Sequence, residues 1–200
     1  MTSGSVDEAL DQVRRMQTLV GDRLRFRGFS ARARVIGGIV ALVGGLALGL
    51  LHRPDSPFVH LVGWALVLFV AVGLNYGALL LWLLDRDRVR RRADWIPALE
   101  SLPPLAVGAA FSLAFVRAGM FDYLPATWML CYGLANMAFR RNLPVGVYLV
   151  GLFYLGAGLA CLLIPGTSFT DPRPVGFDFG IGEIIGGYAL LQRDGPGGQS

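Results

Sequence analysis

Residues 58–84, FVHLVGWALVLFVAVGLNYGALLLWLL, form an unbroken apolar run of 27 residues, and the run ends in DRDRVRRR (85–92), with five arginines. At ~1.5 Å rise per residue a helix of this length reaches about 40 Å, more than the roughly 30 Å of hydrocarbon in a bilayer requires. A helix in the core of a soluble domain has no use for that much apolar surface. Arginines are costly in hydrocarbon, so the cluster marks one face of a membrane, and by the positive-inside rule the cytoplasmic one. The other segments are placed by counting from this landmark.

The chain is 54% hydrophobic and only 16% charged, the balance of a membrane protein and not of a soluble domain. All 18 basic residues are arginine. Cys131 and Cys161 both fall in apolar segments at different depths, which predicts two free thiols.

Residues 1–34 precede the first span. Ser5-Val-Asp-Glu8 fits a capping box, and Val6, Leu10, Val13, Met16 and Val20 recur at helical spacing, which predicts a short amphipathic helix. RLRFRGFSARAR then alternates arginine with apolar or small residues, a pattern suited to anionic headgroups. The region is too long and too charged for a cleavable signal peptide. Six apolar segments follow: 35–51, 58–84, 102–118, 123–139, 145–164 and a short last one at 177–191. A frayed polar tail, 192–200, completes the chain. With the amino terminus inside, fifteen of the 18 arginines fall on the cytoplasmic side, leaving Arg53, Arg117 and Arg173 outside. The expectation is therefore all-α: an integral membrane bundle of six transmembrane helices in three hairpins, both termini cytoplasmic. A re-entrant last segment would reduce this to five full spans.

Small residues recur every fourth position at Gly37, Ala41, Gly45 and Gly49, again at Ala106, Ala110, Ala114 and Ala118, and as Gly73-x-x-x-Gly77 and Gly182-x-x-x-Gly186. Such stripes let helix backbones approach closely. Polar groups inside the apolar segments are few. Glu183 is the sharpest, since an unpaired carboxylate costs roughly 2–3 kcal/mol at a helix centre on insertion scales. It reads either as a proton, cation or ligand site, or as a carboxyl satisfied by a neighbour or wetted at the outer face. Arg117, at a comparable depth, is the natural candidate partner, although snorkelling to headgroups or a bond to Asp122 is the favoured reading of it. Asn75 and Asn136 suit interhelical hydrogen bonds or substrate binding. His52 and His60 lie at the outer edge of the first hairpin without companions enough for a metal site. The aromatic residues, Trp64, Trp82, Trp95 and Trp128 among them, read as interfacial anchors. No nucleotide-binding, hydrolase or metalloprotease motif occurs, so no catalytic residue, cofactor or metal is expected. The arginines flank spans, so membrane orientation explains them without nucleic acid.

Leu10-Asp-Gln-Val13-Arg14-Arg15-Met16, Phe29-Ser30, Pro125-Ala-Thr-Trp128-Met-Leu-Cys-Tyr132-Gly133 and Phe179-Gly180-Ile-Gly182-Glu183 together resemble a family of small uncharacterised bacterial multi-pass membrane proteins. In that family a short cytoplasmic helix leads into a Gly/Ala-rich first span. The tryptophan those proteins often carry before the first span is absent here. The resemblance implies an inner-membrane protein, often encoded beside winged-helix regulators, with a role in signalling or membrane stress. The expected function is that of a non-enzymatic sensor, regulator or scaffold, with residues 5–30 contacting anionic lipid or a cytoplasmic protein partner. The alternative is a small transporter or channel subunit using Glu183 and Arg117; so small a chain would then work as a homo-oligomer.

Overall fold

The computed structural model describes residues 12–13, 30–50, 56–84, 99–138 and 144–194, without the side chains of 75, 76, 78–84, 193 and 194. Most of the expected N-terminal helix, the arginine clusters at 86–92 and 140–141, His52 and the end of the tail lie outside these residues. The described residues are helical, with no strand among them: α1 (Ala31–Leu50), α2 (Pro57–Leu84), α3 (Leu102–Ala118), α4 (Leu124–Ala138), α5 (Val145–Leu163) and α6 (Arg173–Asp194). A single 3-10 turn, Phe121–Tyr123, joins α3 to α4. Three helices are long and apolar enough to cross a membrane: α1, α2 over Pro57–Leu74, and α5. That composition belongs to a membrane protein, and it accounts for the apolar side chains left exposed along α2, such as Val62, Leu66 and Phe69.

Local chemistry sets the helix ends. Pro103 and Pro104 sit in the first turn of α3, where a missing N–H has no helical acceptor to lose. Gly119 closes α3 in the left-handed region, φ 72°. Its N–H donates to the Val116 carbonyl at 3.2 Å, and Met120 N–H donates to Phe115 at 2.8 Å, the paired bonds of a Schellman stop. α6 is longer than the 177–191 expected from sequence. At 22 residues it reaches about 33 Å. Its extra turn comes from Asp171-Pro-Arg-Pro174, which reads as loop because of its prolines. Pro174 falls in the first turn, and the Asp171 carboxylate accepts the Arg173 N–H at 3.1 Å as a cap. α1 likewise begins at Ala31, not at 35, which brings Arg32 and Arg34 into the helix.

The helices pack in the order α2–α1–α6–α5–α4–α3, each antiparallel to its neighbours. A hydrogen bond from Arg34 of α1 to Asn136 of α4 closes α1, α6, α5 and α4 into a ring of four. The α1–α6 seam is the tightest. A Cβ added to Gly45 would stand 2.9 Å from the Cα of Gly176, and one added to Gly38 would stand 2.8 Å from the Gly180 carbonyl oxygen. The α4–α5 seam repeats this at Gly133 and Gly151. The end where α1 starts and α6 finishes is called the near end below, and the opposite end the far end.

Not every small-residue stripe is a contact. Gly37, Ala41 and Gly45 are buried, and Gly49 lies beside Pro172. The alanine stripe of α3, expected to pack, is exposed at 106, 110, 114 and 118. α3 turns its Gly108 face to Cys131 of α4 instead. A Cβ on Gly73 or Gly77 would meet nothing within 4 Å among the described residues.

Candidate functional site

Charge in an apolar bundle needs a partner, and four helices supply one cluster. Arg34 of α1 and Glu183 of α6 are each only 7% exposed. Arg34 Nη2 donates to Glu183 Oε1 at 3.0 Å and to Asn136 Oδ1 of α4 at 2.6 Å. The Tyr154 hydroxyl of α5 lies 3.1 Å from the same Glu183 Oε1 and 3.3 Å from the Phe179 carbonyl. Asn136 Nδ2 donates back to the Tyr132 carbonyl at 2.9 Å. The Tyr132 ring stands edge-on to Tyr154, centroids 5.1 Å apart, and walls the cluster on the α4 side. The net charge of the cluster is zero, and its geometry satisfies the condition for a tolerable buried pair: short bonds plus further donors on the carboxylate.

Glycines make the space. A Cβ on Gly186 would lie 2.6 Å from Arg34 Nε, and a Cβ on Gly182 would lie 2.5 Å from the Tyr154 hydroxyl. Both glycines of the α6 motif therefore receive a member of the network. Arg34 Nε, against Gly186, is buried without a hydrogen-bond partner.

The candidate Arg117–Glu183 pair does not form. Arg117 is exposed in the last turn of α3, whereas Glu183 lies midway along α6 and takes its partner from the near end. The depth expected for Glu183 assumed a helix starting at 177; the added turn at Arg173 moves it toward the middle. Arg34, assigned by sequence to a lipid-facing arginine segment, is buried. Asn136 joins the network, and Asn75 lies on α2, its side chain outside the described set. Arg34 had a usable signal. It lies three residues ahead of Gly37 on the same stripe as Ala41 and Gly45, so the face that packs carries it inward. Glu183 has the matching register, with Gly176, Gly180 and Gly187 at helical spacing on the face toward α1. Tyr154 had no such signal.

A second polar group sits at the far end. His60 is 2% exposed, and its buried Nδ1 has no partner among the described residues. One turn along α2, Trp64 is also buried with Nε1 unpartnered, which overturns its reading as an interfacial anchor. Phe169, from the α5–α6 loop, presents its ring edge-on to His60 at 6.3 Å and to Trp128 at 5.8 Å, and stacks on Phe121 at 6.0 Å. The Asp122 carboxylate fixes that loop by accepting the Phe169 N–H at 2.8 Å. Trp128 is tied inward, its Nε1 donating to Ser112 Oγ at 2.8 Å. Cys131 and Cys161 are free thiols. Among the described residues no three His, Cys, Asp or Glu side chains converge as metal ligands.

No family model, curated protein or solved structure matches the chain.

Proposed function

We propose that the chain is a non-enzymatic sensor or scaffold of a bacterial inner membrane, with six spans and both termini in the cytoplasm. The observation that carries this reading is the lock between Arg34 and Glu183. Arg34 follows directly on the arginine-rich stretch that leads into α1, and Glu183 sits midway along the helix that packs most closely on α1. The N-terminal segment is thus coupled to the middle of the bundle through one buried ion pair. The distribution of arginine supports the orientation, and 22 residues suffice for α6 to span despite its charges. In this reading residues 5–30 meet anionic lipid or a cytoplasmic protein, and the state of the bundle sets how they are presented.

A small transporter or channel subunit is the second reading. It is favoured by the carboxylate midway along α6 with a phenol hydroxyl beside it, and it now rests on Glu183 with Arg34 in place of Arg117. Two measurements separate the readings. Deleting residues 5–30 abolishes the cellular role of a sensor or scaffold. Proteoliposomes loaded with a pH-sensitive or ion-sensitive dye show no flux dependent on Glu183. Flux that Glu183→Gln removes would replace the first reading with the second. Reporter fusions at residues 55, 120, 168 and 200 test the threading: the first three report outside, the last inside.

A further inference from the structure

The far-end cage contains a histidine whose buried Nδ1 has no hydrogen-bond partner among the described residues. Neutral imidazole is tolerable among Phe169, Trp64 and Leu61. Imidazolium is not, because a charged Nδ1–H, buried where it stands, has no acceptor among the described residues. Charging His60 must therefore open the cage or bring a carboxylate to it.

We propose that His60 is an acid-sensing group for the outer side of the membrane, and that its protonation displaces the 167–172 loop from the cage. The proposal rests on the sensor reading above and names its stimulus. Among the described residues the charged and titratable groups near His60 are few. The loop contributes Asp171, close enough for its charge and that of His60 to act on one another, and Arg173 beside it. The 3-10 turn contributes Asp122 and Tyr123, the first already bonded to Phe169 N–H. α3 contributes only exposed Arg117 near this end, and the far halves of α1 and α4 contribute no titratable group. α5 and α6 contribute Cys161 and Asp178, which act on each other. The Arg173 hydrogen bond holds the Asp171 carboxyl below the ordinary aspartate range. A depressed carboxylate adds stability above its ordinary pKa and loses it only as pH falls through the depressed value. Asp171 therefore stays ionised while a histidine titrates, and remains a ready acceptor for a protonated His60.

The loop is placed to pass the change on. Pro172 packs on Gly45 and Gly49 of α1, and its carbonyl accepts the first helical bond of α6, from Gly176 N–H at 2.9 Å. A displaced loop moves the start of α6 along the seam that holds Glu183 against Arg34.

The test uses the full chain in lipid nanodiscs, with Trp82→Phe and Trp95→Phe so that only the cage tryptophans, Trp64 and Trp128, fluoresce. Lowering the pH is expected to give one quenching transition of the cage tryptophans, which the histidine variants assign. The chain has just two histidines, so two variants assign it. His60→Phe, which suits an aromatic cage, abolishes the transition, and His52→Gln keeps it. Should His60→Phe fail to fold, His60→Gln is read the same way. A flat wild-type profile, a transition surviving in the His60 variant, or one lost with His52 overturns the proposal. If residues 5–30 prove dispensable in the cell while the transition stands, it is the sensor reading that has failed.

Discussion

α2 and α6 carry the same short pattern. Gly73-Leu-Asn75-Tyr-Gly77 and Gly182-Glu183-Ile-Ile-Gly186 each place a polar residue between two glycines four apart in a helix. In α6 both glycines are filled from outside the helix, one by the Tyr154 hydroxyl and one by the Arg34 guanidinium. In α2 neither glycine receives a neighbour among the described residues. A small-residue motif is thus an invitation that needs a guest. The guests in α6 are polar because Glu183 sits between the glycines and must be paired, and they are large because two missing side chains leave room for them. The difference between the helices should appear in stability, and four substitutions grade it.

The largest effect belongs to the charge itself. Glu183→Ala leaves Arg34 buried and uncompensated, which costs roughly 3–5 kcal/mol, against a much smaller cost when both ends are replaced by apolar groups. In detergent, followed by helix loss on titration with SDS, Glu183→Ala should unfold far earlier than wild type, and Arg34→Leu/Glu183→Leu should recover most of the loss. If the double variant is as unstable as the single one, the pair is not what holds α6.

Next comes the seam. Gly45→Ala pushes a methyl to within 2.9 Å of the Gly176 Cα, and backbone atoms cannot step aside as a side chain can. Overpacking of this kind costs about 1–3 kcal/mol. Tyr154→Phe is milder. It removes one hydroxyl from Glu183 Oε1, keeps the ring contacts with Tyr132 and Phe179, and leaves the carboxylate its arginine. About 1 kcal/mol is expected. An unchanged SDS midpoint would mean that neither bond of the hydroxyl, to Glu183 Oε1 or to the Phe179 carbonyl, adds net stability.

The same contrast explains what sequence could reveal. Apolar length is a property of each segment by itself, so all six helices begin and end within about four residues of their expected limits. α6 alone is extended at both ends, and its first turn is written in prolines and an aspartate, residues that mean loop until a cap is formed. The site was half legible. Glu183 stands out against its surroundings because one carboxylate in an apolar run is costly whatever surrounds it. Its partner depends on which helix lies alongside, and Arg117, near it under the hairpin order, gave way to Arg34 once α1 proved to lie against α6. Arg34 was hidden by its company, since a lone charge next to six other arginines before a span reads as orientation signal. His60 and Trp64 were hidden by position, because the ends of spans are where such residues meet headgroups.

Gly77→Ala is the smallest effect and the one that cuts most sharply. Among the described residues nothing lies within 4 Å of the added methyl, so no described packing is lost. Alanine is the better helix former in a helix interior by roughly 0.5–1 kcal/mol, and a methyl facing lipid is no burden. The substitution should therefore be neutral or slightly stabilising by the same SDS titration, alone and together with Gly73→Ala. Destabilisation by more than about 1 kcal/mol would mean that something packs on this face in the folded state, since open lipid cannot object to a methyl. Its dependence on protein concentration would then decide the occupant. A loss that grows as the protein is concentrated would identify a second copy of the chain, and the contrast between α2 and α6 would become one between a seam within a protomer and a seam between protomers.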